Sequence, residues 1–386
     1  MNEALSVARL VGALVLFGFG LLTILKVPIG FLWMPSVGAT EWGHIMGALA
    51  LLLLFGGWGD TKSTASFILA AISAVLLFSP VYRAFNAAAQ VEAEVREKIG
   101  KVSPLILENA AARPSPFTPS QLLSIGVGKA EVDRHRFKDI DGEMLDLEFY
   151  GAEPGAFRPL IIAIHGGSWS GGDYTQLPAI NHYLARRGYG VAAISYRLAP
   201  KYVFPAQLDD VKSAIDWCKQ NAEKLGIDPN RIVLLGRSAG GHLALTAAYG
   251  VNDPSIKGVI AYYAPNDLNW SWDNPSNPLI LDTPKTLSDF LGGTPSTATT
   301  AFAQASPYNF VNPKTPATLL VHGQRDQLVF SKQTERLATR LNENGVLNVM
   351  VRLPWAKHGC EANLSGPSGQ ISTWAIERFL AYVTKP

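Results

Sequence analysis

The chain has 386 residues, enough for two or three units, and a formal net charge of +2, which gives no reason to expect nucleic acid as a partner. Hydrophobic content is high at 48% and charged content low at 17%, and the apolar excess is gathered in the first 84 residues. Only Cys218 and Cys360 are present, far apart, so no disulfide framework argues for an oxidising compartment.

Leu10 to Leu25, Ile45 to Trp58 and Ser63 to Tyr82 carry no charge, the last across 20 residues, the length of a helix that crosses a hydrocarbon core. Three transmembrane helices are predicted, about Leu5 to Leu25, Trp42 to Trp58 and Ser63 to Tyr82, with Trp33, Trp42 and Trp58 near their ends at headgroup level. The middle one is the shortest and is compatible with a tilted or re-entrant path. Arg9 before the first apolar run raises a signal peptide as the alternative, but no small-residue cleavage site follows, and an uncleaved anchor is preferred. Arg9 and Lys62 fall on one side against Lys26, Arg83, Arg96 and Lys98 on the other. That balance predicts an integral protein of a bacterial inner membrane with its catalytic part on the cytoplasmic side.

Phe85 to Ile99 reads as a helix leaving the membrane, and Lys101 to Ser124, with four prolines, as a linker or a cap over the active site. The loop from Asn266 to Thr286, with Trp270 and Trp272, is a second cap candidate. The expected division is a transmembrane region at 1–84, a linker or cap at 85–130 and a catalytic domain at 131–386. Eight strands are predicted near Asp133 to Phe137, Met144 to Tyr150, Leu160 to Ile164, Val191 to Ser195, Ile232 to Leu235, Gly258 to Tyr262, Thr318 to Val321 and Asn348 to Leu353. The first two alternate and should be antiparallel, the rest mostly parallel.

Gly236-Arg237-Ser238-Ala239-Gly240 stands between the fifth of these strands and a helix-like run, which is the pattern of a nucleophile elbow. Glycines flank the serine because a strained turn leaves little room for Cβ atoms, and the N–H of Ala239 is placed to meet an oxyanion. The third strand runs into His165-Gly166-Gly167-Ser168-Trp169, whose glycines let backbone N–H groups turn toward the same oxygen, with His165 bracing the loop. Asp326 follows the seventh strand as the candidate acid, and His358 follows the eighth as the candidate base. His322 is a rival base, and Asp209 and Asp210 rival acids better suited to capping a helix. No internal repeat, C-x-x-C pair, phosphate-cradling loop or metal-binding histidine pattern is present, so no cofactor or metal is expected.

Taken with Ser195-Tyr-Arg-Leu-Ala-Pro200, Phe204-Pro205-Ala206 and His322-Gly-x-x-Asp326, these motifs resemble the hormone-sensitive-lipase-like and feruloyl-esterase-like carboxylesterases of the α/β-hydrolase fold, over Glu131 to Pro386. The resemblance implies a serine carboxylester hydrolase with Ser238 as nucleophile, His358 as base, Asp326 as orienting acid, and Gly167, Ser168 and Ala239 as oxyanion donors. Two departures, Arg237 where the lipase branch commonly has Asp and Cys360 where an aromatic is common, bear on the substrate. Lipophilic esters are expected, delivered by the membrane, with the spans supplying location and substrate access and the chemistry lying beyond residue 160. The competing readings are a prenylcysteine-type methylesterase, an aryl-formamidase, and a silent binding receptor on the same fold.

Overall fold

Leu160-Ile161-Ile162-Ala163-Ile164 and Ile232-Val233-Leu234-Leu235 are apolar at every position because both faces of their sheet are covered. The computed structural model describes residues 2–55, 61–101, 112–124, 126–140, 142–151, 155–251 and 253–385. Its N-terminal part holds α1 (Asn2–Ile24), a 3-10 turn (Gly30–Leu32), α2 (Trp33–Glu41), α3 (Gly43–Leu52) and α4 (Thr61–Ile99). The strands β1 (Val132–Ile140), β2 (Glu143–Tyr150), β3 (Arg158–Ile164), β4 (Gly190–Ile194), β5 (Ile227–Arg237), β6 (Ile256–Tyr262), β7 (Ala317–Gly323) and β8 (Asn348–Leu353) form one eight-stranded sheet in the order β1-β2-β4-β3-β5-β6-β7-β8. β1 and β2 are antiparallel, β2 is antiparallel to β4, and every later pairing is parallel. All eight expected strands are present.

Between the strands lie α5 (Ala179–Ala185), α6 (Ala206–Gln220), α7 (Ala222–Leu225), α8 (Ala239–Val251), α9 (Leu268–Asp273), α10 (Thr283–Leu291), α11 (Thr299–Gln304) and α12 (Lys332–Glu343), and α13 (Pro367–Val383) follows β8. The period of two in a strand splits the core. Leu160, Ile162, Ile164 and Leu234 pack with Val211 of α6 and Leu243 of α8, whereas Ile161, Ala163, Val233 and Leu235 pack with Ile371 and Phe379 of α13. Because β3, β5, β7 and β8 run the same way, the loops after them gather at one edge of the sheet, where ligands of open α/β sheets bind.

The second face has a contributor that was expected only to leave the membrane. Ala84, Ala87, Ala88, Val91 and Val95 of α4 belong to the same buried cluster as Ile161 and Phe379. Glu94 reaches over to accept from the N–H of Met350 on β8 at 3.3 Å. α4 runs unbroken past residue 84, with Pro80 inside it, so one helix joins the apolar N-terminal half to the core of the sheet.

The expected middle span is the shortest helix of the three, and its end lies outside the described residues. Among the described residues, two helices, Glu3–Ile24 and Thr64–Ile99, are long and apolar enough to cross a membrane. The third is the ten-residue α3, about 15 Å long and half the thickness of a hydrocarbon core. Trp58 lies outside the described residues. α3 packs against α4 through glycines four apart: a Cβ on Gly43 would meet the Leu77 carbonyl at 2.6 Å, and one on Gly47 the Phe78 ring at 2.7 Å. Arg9 donates through Nε to the Leu53 carbonyl at 2.9 Å, tying the far end of this short return to α1.

The part played by α4 gives a direct expectation. Val91 is 3% exposed, so Val91→Asp buries an unpaired carboxylate between α4 and the sheet and should cost on the order of 3 kcal/mol. Urea unfolding of the detergent-solubilised chain checks it; a midpoint like that of the unsubstituted protein would remove α4 from the core.

Candidate active site

The turn at the end of β5 is held by contacts that exclude side chains at both flanks. Ser238 has φ 53°, and a Cβ at Gly236 would overlap the Gly240 carbonyl, while one at Gly240 would overlap the carbonyls of Ile164 and His165. The Ser238 N–H donates to the Tyr262 carbonyl at 2.9 Å, and α8 begins at Ala239, so that residue's N–H is among those its helix leaves unpaired.

The loop after β3 presses against this turn. A Cβ at Gly166 would sit 3.0 Å from the Arg237 carbonyl, and Gly167, Ser168 and Trp169 have φ of 120°, 53° and 59°. Consecutive positive φ values turn the backbone sharply, and the Gly167 carbonyl accepts from Ser170 and Gly171 at 3.0 and 2.9 Å, fixing the hairpin. His165 braces the loop as expected: its Nδ1 donates to the Gly166 carbonyl at 2.7 Å and its ring stacks on Tyr196 at 4.2 Å. Burial lowers its pKa to about 4, so it stays neutral. Trp169 donates to His242 Nδ1 at 3.2 Å, which completes a buried chain on to Ala305.

After β7 and β8, the candidate acid and base meet. His358 Nδ1 lies 2.7 Å from Asp326 Oδ2, and the carboxylate accepts only, so Nδ1 is the donor here and Nε2 is the ring nitrogen left to exchange a proton. Asp326 also accepts from the N–H groups of Leu328 and Val329 at 2.8 and 3.0 Å. Burial alone would raise its pKa, but His358 and His322 outweigh it and hold the carboxyl well below its usual range. His322, the rival base, donates from Nε2 to Asp326 Oδ2 at 3.1 Å and to the Val329 carbonyl at 2.9 Å, and accepts from Thr334. It supports the acid. Asp210 is likewise structural, paired with Arg197 at 2.8 Å and Lys138 at 2.6 Å, and Asp209 faces Lys212.

Ser238 and His358 line the same cavity of about 440 Å³, together with Gly167 and Ser168. They form no Oγ–imidazole hydrogen bond among the described residues; such contacts often tighten only around substrate. Ala239 lines a second, smaller cavity that also opens on Ser238 and Ser168.

Sequence reasoning missed the residues that frame this centre. Arg237 Nε lies 3.1 Å from Glu361 Oε1, beneath the base loop, and Tyr263 donates to the same carboxylate while its ring sits 4.2 Å from that of His358. More unexpected is the contribution of residues 24–41. Arg325 donates to the Ile24 carbonyl, Lys357 to the Leu25 carbonyl at 2.8 Å, Gln327 pairs with both the N–H and the carbonyl of Val27, and Trp33 Nε1 donates to the His358 carbonyl at 3.0 Å. The neighbours of Asp326 and His358 are thus tied to the end of α1. Trp33, Met34 and Val37 line the cavity, so residues before 160 shape the substrate space while Ser238, Asp326 and His358 all lie beyond it.

The two cap candidates separate. Ser271, Asn274, Leu281, Thr283 and Thr286 of the Trp270 loop line the smaller cavity. Residues 102–111 lie outside the described residues; the remainder of the other candidate bonds to α13, with Arg113 Nε on Thr373 at 2.7 Å and Thr118 N–H on Gln370 at 2.9 Å, and lines neither cavity.

A family model described as BD-FAE matches residues 145–341. Esterase LipC of Mycobacterium tuberculosis is 30% identical over 351 residues, 85% of this chain and 84% of its own. Esterase LipQ of the same organism is 28% identical over 243 residues, 60% of this chain and 56% of its own length. Among solved structures, the esterase Est2 of Thermogutta terrifontis superposes with a TM-score of 0.52 at 27% identity, over 64% of this chain and 89% of that one.

The seat of α2 is pH-sensitive. Glu41, at its C-terminal end, accepts from Ser368 Oγ at 2.7 Å and Ser368 N–H at 3.1 Å, and burial raises its pKa to about 8. An acid whose pKa is raised on docking binds more protons docked than open, so the docked state weakens as pH climbs from 4.5 to about 8 and levels above that. Hydrogen-exchange protection of residues 33–41, corrected for intrinsic rates, should fall between pH 5 and pH 8 and lose that slope in Glu41→Gln. A slope unchanged by the substitution would place the titrating group elsewhere.

Proposed function

We propose, from the premise that the chain belongs to the BD-FAE family and is a carboxylic ester hydrolase, that it works through an acyl-enzyme on Ser238 and is anchored in a membrane. The observation that carries the mechanism is the 2.7 Å contact of His358 Nδ1 with Asp326, which commits Nδ1 as a donor and leaves Nε2 as the nitrogen that can act as base in the cavity shared with Ser238. Ser238 Oγ attacks the ester carbonyl as His358 Nε2 takes its proton, and Asp326 holds the imidazole and balances the imidazolium that forms. The N–H groups of Gly167, Ser168 and Ala239 meet the charge that develops on the carbonyl oxygen. The tetrahedral adduct collapses, the alcohol leaves with the proton from His358, and water, activated in the same way, releases the acid.

α1 and the N-terminal half of α4 support the anchor, since both have the length and apolar composition of a span and both run toward the hydrolase. We assign the membrane part to residues 2–83 apart from α2, and the catalytic part to the rest, with the second half of α4 included in its core. Lys26, Arg83, Arg96 and Lys98 favour the cytoplasmic side for it. Esters that partition into lipid are the substrates such a placement favours.

Ser238→Ala and His358→Ala should each lower kcat by about 10⁴-fold or more, with Asp326→Asn somewhat less damaging. Steady-state kinetics on p-nitrophenyl acetate check this, and normal turnover by Ser238→Ala would sink the mechanism. The full-length chain should also remain in the pellet after carbonate washing of membranes; its release into the supernatant would reject the anchor.

A further inference from the structure

Two cavities of unequal size meet at Ser238, and only one of them contains the base. The smaller, about 50 Å³, lies between Trp169, Ala239, Leu281, Leu287 and Val329. The larger, about 440 Å³, is walled by Trp33, Met34, Val37, Leu177 and Leu328 and includes His358. An ester bound for attack must place its acyl group on one side of Ser238 and its alcohol on the other.

The chemistry decides which goes where. When the tetrahedral adduct collapses, the bond from Ser238 Oγ to the acyl carbon stays and the bond to the alcohol oxygen breaks. The electron pair remains on that oxygen, which takes the proton held on His358 Nε2. The leaving oxygen must therefore lie within hydrogen-bond reach of the imidazole. The cavity with His358 receives the alcohol, and the other receives the acyl group.

Resting on the acyl-enzyme reading above, we propose that this enzyme is selective for esters of a short acyl group with a bulky apolar alcohol, and that α2 is the wall that recognises the alcohol. A volume near 50 Å³ holds roughly three or four water-sized spheres, which fits an acetyl to butyryl chain. The large cavity has no charged side chain except Arg237 among its lining residues besides the base His358, and Arg237 is turned to Glu361. Apolar side chains stand exposed on and near its wall: Met34, which lines it, is 58% exposed, and Phe31, three residues earlier in the chain, is 83% exposed. Trp33 follows the end of α1 by nine residues, so on the anchored reading this wall stands close to the bilayer from which an apolar alcohol would come.

Isomeric esters separate the two orientations because they share formula and lipophilicity. Full-length protein in detergent should hydrolyse dodecyl acetate with kcat/KM about 100-fold or more above that for ethyl dodecanoate. Trp33→Ala should raise KM for dodecyl acetate about 10-fold more than for ethyl acetate, while Trp33→Phe, which keeps the ring and loses the N–H donor, should recover most of that ratio. Leu287→Ala, which widens the smaller cavity, should narrow the preference between the two isomers. Equal rates on the isomers, or preference for ethyl dodecanoate, would overturn the assignment while leaving Ser238 in place. Hydrolysis of both isomers undiminished in Ser238→Ala would instead overturn the acyl-enzyme reading on which it rests.

Discussion

A carboxylate that is only 5% exposed must be satisfied on every side, and Asp326 is the constraint around which the rest of this site is arranged. Its oxygens accept from two backbone N–H groups and two imidazoles, His358 at 2.7 Å and His322 at 3.1 Å. The backbone pair fixes the loop after β7, His322 fixes the carboxylate to its own strand, and what remains is aimed at His358. With its Nδ1 proton committed, the imidazole presents a single basic nitrogen to the cavity. The selection of that tautomer follows from burial and acceptor count, before any substrate arrives.

Much of this was legible in the sequence, for reasons that differ from element to element. Strands such as β3 and β5 announce themselves because burial on both faces demands unbroken apolar runs. Ser238, Asp326 and His358 are legible because each follows a strand whose neighbours bring its end to the same edge. Gly236 and Gly240 are visible because no other residue fits where a Cβ would overlap a carbonyl.

What was hidden depends on distance along the chain. Nothing in Arg325, Gln327 or Lys357 points to residues 24–27, about three hundred positions away, because a side chain capping a carbonyl leaves no periodic trace. Arg237 looked like a departure at the elbow and instead pairs with Glu361 below His358. α3 reads as a span by hydropathy, yet its glycines press it onto α4 and it is too short to cross alone. α4 itself carries two patterns in one helix: unbroken apolarity in its first half, then small residues at Ala84, Ala87 and Ala88 that let it approach the sheet closely. The expected boundary near residue 84 falls inside that continuous helix.

The apolar N-terminal helices and the catalytic centre are consequently one mechanical unit: α1 ends on the loops of the acid and the base, α2 walls the cavity, and α4 completes the core. The chemistry at Ser238 is the claim on which the functional reading turns. Rapid acid quenching of the native enzyme during turnover of an acetate ester, followed by peptide mass spectrometry, tests it most directly. An acetyl group on the peptide containing Ser238 is the expected result; turnover with the acetyl group on another residue, or on none, would contradict it.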